Sequence, residues 1–326
     1  MGATWSQLFP PSPVLTEKNL PSQKGKVFIV TGGTSGVGYE LASILYQAGA
    51  KVYIAGRSEA NGKKSIANIR SSLHDVSNVG DLEFLHLELN DLSTIKASVE
   101  AFQKKESKLD VLWNNAGVSL PAVGSKSAQG HELQVATNAL GPLLFTQLLL
   151  PSLKAAASAP NTPPDSVRVV WTSSQTVDLA APAEGIKMSE LDTPPSDQAK
   201  NYVNSKIGNW FLASEFGERV KGYGILSLTQ NPGNLNSNLL RGHAWMKFFV
   251  LPLLYPPRMG AYTELWAGLA PELGIENSGA YVVPWGRIHP APREDLVKTV
   301  KSVDDGGTGR AAEFWAWCEE KIFEFK

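Results

Sequence analysis

From Lys26 the chain alternates between short apolar runs and longer stretches whose apolar residues return every three or four positions. Lys26-Val27-Phe28-Ile29-Val30 is a run of buried-strand length. It breaks at once into Thr31-Gly32-Gly33-Thr34-Ser35-Gly36-Val37-Gly38. After this turn Val37, Leu41, Ile44, Leu45 and Ala48 share one face of a helix that Gly49 ends. Val52-Tyr53-Ile54-Ala55 supplies a second strand, so the segment predicts a βαβ unit.

The alternation then runs on. The pattern predicts helices over 58–72, 92–105, 129–153 and 199–220, and strands over 82–89, 109–113, 167–172, 225–228 and 281–283. In the long helix over 129–153, Leu133, Thr137, Leu140, Leu144 and Leu148 fall on one face. Strands alternating with helices imply an α/β fold, a doubly wound parallel sheet of about seven strands with helices on both faces. Residues 26–326 are read as one catalytic domain of this kind. Residues 1–25, with Pro10, Pro11, Pro13 and Pro21 and no sustained period, are read as an extended N-terminal arm. Two stretches break the rhythm. One, residues 178–198, holds Pro182, Pro194 and Pro195. The other, about 236–258, concentrates Leu239, Leu240, Trp245, Met246, Phe248, Phe249, Leu251, Leu253 and Leu254, and reads either as core packing or as a lid over an apolar substrate.

Composition narrows the function. Among 326 residues, 30 basic against 31 acidic side chains leave no basic excess for a nucleic-acid footprint. A lone cysteine, Cys318, excludes an intramolecular disulfide and fits a reducing, cytoplasmic setting. No Asn-x-Ser/Thr sequon occurs. No signal peptide is expected at the N-terminus, and the run from Phe248 to Tyr255 is too short to span a bilayer. Met1-Gly2-Ala3-Thr4-Trp5-Ser6 fits the loose N-myristoylation pattern, which would give only marginal peripheral membrane attachment.

The glycine turn carries the first candidate chemistry. Gly32, Gly36 and Gly38 between a strand and a helix permit a tight turn and close approach of backbone to a pyrophosphate at the helix N-terminus, with Thr34, Ser35 and Val37 in the same turn. The spacing is G-x-x-x-G-x-G, and no Gly-Lys-Ser/Thr follows as a P-loop would require. An acidic residue at the end of the second strand would select NAD. Ala55-Gly56-Arg57-Ser58 has none, and Arg57 and Ser58 suit a 2′-phosphate, so the expected cofactor is NADP(H).

Tyr202 and Lys206 lie one helical turn apart on the helix over 199–220. A free tyrosine titrates near ~10, and a neighbouring cation favours its phenolate, so such a pair can exchange a proton with an alcohol oxygen. Alone, the pair also fits a solvated helix face. A zinc route is disfavoured: His131-Glu132 begins like H-E-x-x-H, but Val135 stands at the second ligand's position, and no metal site is expected.

Taken in order, Thr31-Gly32-x-x-x-Gly36-x-Gly38, Asn114-Asn115-Ala116-Gly117, Asn138, Ser173-Ser174, Tyr202-x-x-Ser205-Lys206 and Pro232-Gly233 resemble the short-chain dehydrogenase/reductase superfamily, in its single-domain Rossmann branch. Ala55-Gly56-Arg57-Ser58-Glu59 and Asn204-Ser205-Lys206-Ile207-Gly208-Asn209 are similar to the retinol-dehydrogenase-like group. Val283-Pro284-Trp285-Gly286-Arg287 and Phe314-Trp315-x-Trp317-Cys318-Glu319 are similar to fungal members, with secondary metabolism implied. The resemblance implies a catalytic set. Ser174 holds the substrate oxygen, Tyr202 is the acid–base, Lys206 binds the nicotinamide ribose and lowers the tyrosine pKa, and Asn138 holds a relay water. It also implies that Asn115, Ala116 and Gly117 line the adenosine side, that Glu88 and Leu89 meet adenine, and that Pro232, Gly233, Leu235 and Ser237 fix the nicotinamide. Glu88 stands where the family usually has Asp, Ser237 where Thr is commoner, and Asn61 where near relatives often have Lys.

These residues predict hydride transfer between NADP(H) and a carbonyl or alcohol carbon of a lipophilic small molecule; the resemblance adds that a homo-oligomer is frequent in the superfamily. The alternatives are a repurposed fold doing non-redox chemistry on a hydrophobic biosynthetic intermediate, or a non-catalytic NADP(H)-binding protein.

Overall fold

The computed structural model describes residues 2–236 and 254–326. Most of the predicted lid, and Ser237 with it, lie outside the described residues. Among the described residues, eight strands form one sheet: β1 (Val27–Thr31), β2 (Lys51–Gly56), β3 (Asp81–His86), β4 (Val111–Asn114), β5 (Val167–Thr172), β6 (Ile225–Gln230), β7 (Tyr281–Val283) and β8 (Arg287–Ile288). Their order is β3-β2-β1-β4-β5-β6-β7-β8. All neighbours pair in parallel except β7 with β8. Every residue of β1, β4, β5, β6 and β7 is buried, because helices cover both faces; this is why apolar residues dominate these strands. The chain runs outward from β1 in one direction and returns to start β4 on its other side, so a crevice opens at the carboxyl ends of β1 and β4.

Two apolar layers flank the sheet. One joins Leu41, Ile44 and Leu45 of the helix Gly36–Gln47 to Ala261, Leu265 and Ala267 of the helix Pro257–Leu269. The other joins Leu143, Leu144 and Leu153 to Ile207, Phe211 and Phe216 of the helix Gln198–Val220 and to Phe314 of the helix Arg310–Ile322. Arg168, buried in β5, would be costly there if unpaired. Its guanidinium donates instead to the carbonyls of Ala267, Ala270 and Leu273, where the helix Pro257–Leu269 ends and its dipole favours a cation.

Several expectations need correction. The chain ahead of β1, expected to be extended throughout, begins with the helix Gly2–Leu8, and only the proline-bearing remainder lacks regular structure. The third strand stops at His86, so Glu88 and Leu89 sit in the turn beyond it. The long helix predicted over 129–153 starts at Leu133, passes through a π segment at Ala136–Leu140, and breaks at Leu149 before the helix Leu150–Ala157. Prolines explain the interruptions. Pro142 has no N–H to close the usual bond to the carbonyl of Asn138, and Pro151 falls in the first turn after the break.

Among the described residues no single helix is long and apolar enough to cross a membrane. The bent pair Leu133–Leu148 and Leu150–Ala157, 54° apart, has the composition for it. Its Leu143, Leu144, Phe145, Leu149 and Leu153 are packed in the core, however.

Candidate active site

At the end of β1 the chain must turn sharply without filling the crevice, and glycine is required at two kinds of position. Gly32 and Gly36 have positive φ, 68° and 59°. Gly38 is required by space: a Cβ there would lie 2.5 Å from Asn115 Nδ2 and 2.8 Å from the Gly32 carbonyl oxygen. Asn115 in turn donates to the Thr31 carbonyl at 2.7 Å, and the Ala116 N–H donates to Thr31 Oγ1 at 2.9 Å, tying the ends of β1 and β4 together. Ser35 caps the helix Gly36–Gln47 without a side-chain bond, and the first turn has no acidic residue. Its free N–H groups and positive dipole end therefore face the crevice, and open space lies beside Gly36. The turn thus fits a dinucleotide pyrophosphate. Val37 and Leu235 pack on Gly260, and Thr34 lies over Gly56.

At the end of β2, Arg57 is largely exposed and stands 3.8 Å from Glu88. Ser58 Oγ accepts from the Asn61 N–H and caps the helix Glu59–Ser72. No acidic side chain occupies this strand end itself. Leu89 is buried, its carbonyl closely packed on Gly141.

The structure brings Ser174, Tyr202, Lys206 and Asn138 together at the carboxyl ends of β4 and β5. The helix Gln198–Val220 supplies Tyr202 and Lys206 after Asp197 caps it through the Ala199 and Lys200 N–H groups. Tyr202 is half-buried. Burial raises the Tyr202 pKa, and the nearby Ser174 side chain works against that rise. The expected lowering by Lys206 is not what the pair shows. Lys206 Nζ donates to the Thr172 carbonyl at 2.9 Å and lies 5.7 Å from the Tyr202 ring centre. Burial also pushes Lys206 down to about 8, against the pull of Glu264.

Asn138 is buried in the π segment. Its Oδ1 accepts from the Val118 N–H at 2.8 Å, and its Nδ2 donates to the Val118 carbonyl and to Ser205 Oγ. Gly117 separates it from the lysine: a Cβ there would stand 3.1 Å from Asn138 Oδ1 and 3.3 Å from Lys206 Nζ.

In the turn after β6, expected to meet the nicotinamide, Gly233 has φ 92° and its N–H donates to Asn231 Oδ1 at 2.9 Å. Here the structure adds residues that sequence reasoning missed. Gln7, on the N-terminal helix, accepts from Asn231 Nδ2 at 2.8 Å and donates to Asp178 at 2.8 Å. His289 Nε2 lies 3.0 Å from the same Asp178 oxygen. Tyr281, at the start of β7, donates to the Ser174 carbonyl at 2.8 Å. Nothing local in the sequence announces these contacts. Glu264 did leave a signal: it interrupts the small and apolar stripe Gly260, Ala261, Leu265 and Gly268, whose spacing marks the buried face of its helix.

Comparison with known proteins identifies the family. The model of the short chain dehydrogenase family matches residues 26–179. A short-chain dehydrogenase/reductase of Pestalotiopsis fici is 44% identical, the alignment covering 97% of this chain and 96% of the relative. Another, from Neocamarosporium betae, is 43% identical across 100% of this chain and 94% of its own. Among solved structures, a protein from Mycobacterium paratuberculosis is 26% identical and superposes with a TM-score of 0.67, covering 95% of this chain and 98% of that one.

Proposed function

The chain belongs to the short-chain dehydrogenase/reductase family, and from that membership we propose that it uses NADP(H) to move a hydride to or from the carbonyl or alcohol carbon of a lipophilic small molecule. The observation that carries this reading is the meeting of the Tyr202 phenol with Ser174 and Lys206 beside an open glycine turn. When bound, the nicotinamide supplies or takes the hydride. The chain's own residues do the rest. In reduction Tyr202 gives its proton to the substrate oxygen while the Ser174 hydroxyl holds that oxygen and offsets its growing charge. Lys206 would hold the ribose and would pass a proton back to the Tyr202 phenolate, itself recharged through a water held near Asn138, whose carbonyl is spared its ordinary α-helical donor by Pro142.

Gly117 keeps that water's space open. Gly117→Ala is expected to lower turnover about tenfold while changing NADPH affinity less than twofold, because its Cβ enters the gap between Asn138 and Lys206. Steady-state kinetics beside NADPH titration would check both numbers, and unchanged turnover would remove the relay from this account.

The choice of NADP(H) rests on Arg57 and Ser58 at a strand end without its own acid. An exposed ion pair at 3.8 Å is weak, so a 2′-phosphate can draw Arg57 from Glu88. Arg57→Ala is expected to weaken NADPH binding by about 10- to 100-fold and leave NADH binding unchanged. Equal losses for both would overturn the assignment. A lipophilic substrate is supported by the apolar composition of residues 239–254 and by the exposed Leu179 five residues beyond Ser174.

The reaction itself is tested by mixing the purified protein with NADPH and a panel of lipophilic ketones and aldehydes, and following NADPH absorbance together with product mass. Loss of absorbance with alcohol formed is the expected result. Substrate conversion without absorbance change would favour non-redox chemistry, and saturable NADPH binding without turnover a nucleotide-binding role.

A further inference from the structure

Glu264 has no part in the mechanism above, yet it is fully buried beneath the site, on the sheet-facing side of the helix Pro257–Leu269. Its Oε1 is reached by Thr172 Oγ1 at 3.3 Å and by Gln230 Nε2 at 3.2 Å, and its Oε2 has no partner among the described residues. Gln230 Nε2 also donates to Thr172 Oγ1 at 2.8 Å. On its other side Thr172 offers its carbonyl to Lys206 Nζ and to Asn209 Nδ2. Gln230 Oε1 and Asn209 Oδ1 are unpartnered among the described residues as well, so the shell those residues form below the lysine is rich in acceptors and holds the Glu264 carboxyl. An ionised carboxyl with so few donors is costly in the interior unless a cation shares the site.

We propose that Glu264 is a buried counter-charge for Lys206, a positioning residue joined to it through Thr172 that sets the pH at which the ammonium gives up its proton. The inference rests on the reading of Lys206 as part of the proton-transfer site. Other charges near the helix are engaged elsewhere. Arg258, at its first turn, pairs with Glu40 of the helix Gly36–Gln47 and with Glu17. Arg168 of β5 caps its last carbonyls. The adjoining strands present neutral Trp113, Thr172 and Gln230, so among the described residues Lys206 is the charge that acts on Glu264.

The signs are consistent with such a pair. Burial pushes Glu264 up to about 8, opposed by Thr172, Lys206 and Gln230, while burial pushes Lys206 down to about 8, opposed by Glu264. As Glu264 ionises with rising pH, it favours the ammonium and keeps Lys206 charged where burial alone would discharge it. Removing the carboxyl therefore lowers the pH at which Lys206 titrates.

The test is a 13C NMR titration of the lysine Cε signals in the full chain, with the Lys206 signal assigned by its loss in Lys206→Met. Glu264→Gln keeps the shape and an oxygen for Thr172 and Gln230, and is expected to lower the Lys206 midpoint by about one pH unit. Glu264→Asp, which keeps the charge, is expected to restore it to within about half a unit. An unmoved midpoint in the glutamine variant, or an equal shift in the aspartate variant, overturns the proposal. Should Glu264→Gln fail to fold, Thr172→Val takes its place. Losing that donor makes Glu264 harder to ionise, so the midpoint again falls, and an unmoved midpoint there is equally fatal. The alkaline limb of carbonyl reduction should move with the NMR midpoint. If the unaltered protein reduces no carbonyl, the redox reading fails, and the titration still decides the part played by Glu264.

Discussion

Tyr202→Phe is expected to lower turnover by about 10²–10⁴-fold, the range for losing a general acid, while NADPH binding stays within about twofold. The loss corresponds to about 3–5 kcal/mol of barrier. The proposed proton donor is the Tyr202 hydroxyl, and Ser174, the hydroxyl proposed to hold the substrate oxygen, is too weak an acid to replace it. The glycine turn, Arg57 and the Asn115–Thr31 tie are all untouched by the change, which is why affinity for the dinucleotide should survive. Folding should survive as well, since Ser205 and Asn138 brace the helix through the Tyr202 backbone rather than through its phenol. Single-turnover reduction with saturating NADPH would read the proton-transfer step directly. A phenylalanine variant within tenfold of the parent would remove Tyr202 from the acid–base role.

What could be read from the chain follows from where its information is local. Seven strands are visible in the sequence because burial on both faces favours runs dominated by apolar residues, as in Val167–Thr172, whose bounds match the reading to the residue. The eighth, Arg287–Ile288, is two residues long and half polar, so no run marks it. The helix Gly2–Leu8 is hidden by the prolines that follow it. The ordered set of Ser174, Tyr202 and Lys206 was legible because each sits at a strand end or on a helix face that the alternation predicts. Gln7, Asp178 and His289 were not. They meet across 171 and 282 positions of chain, and their only signature is the fold itself. The charge state of the acid–base pair was illegible for the same reason. Spacing put an ammonium beside a phenol, but burial, opposed by Ser174 at the phenol and by Glu264 at the ammonium, determines how each of them titrates.

That dependence on packing makes a single methyl group at the glycine turn the severest test of cofactor binding. Gly38→Ala is expected to weaken NADPH binding by at least about tenfold and to lower thermal stability by about 1–3 kcal/mol, as overpacking of a tight site does. The new Cβ would press on Asn115 Nδ2 at 2.5 Å and on the Gly32 carbonyl at 2.8 Å, and the second of these is backbone that cannot rotate away. Relief requires either opening the turn or breaking the Asn115 bond to Thr31, which holds β1 to the end of β4. Both routes displace the N–H groups that would face the pyrophosphate. Gly222→Ala provides the control, because a Cβ there meets nothing within 4 Å. Isothermal titration with NADPH and thermal melting of both variants separate the outcomes. If Gly38→Ala bound NADPH as tightly as Gly222→Ala, the dinucleotide would have to lie elsewhere than on this turn.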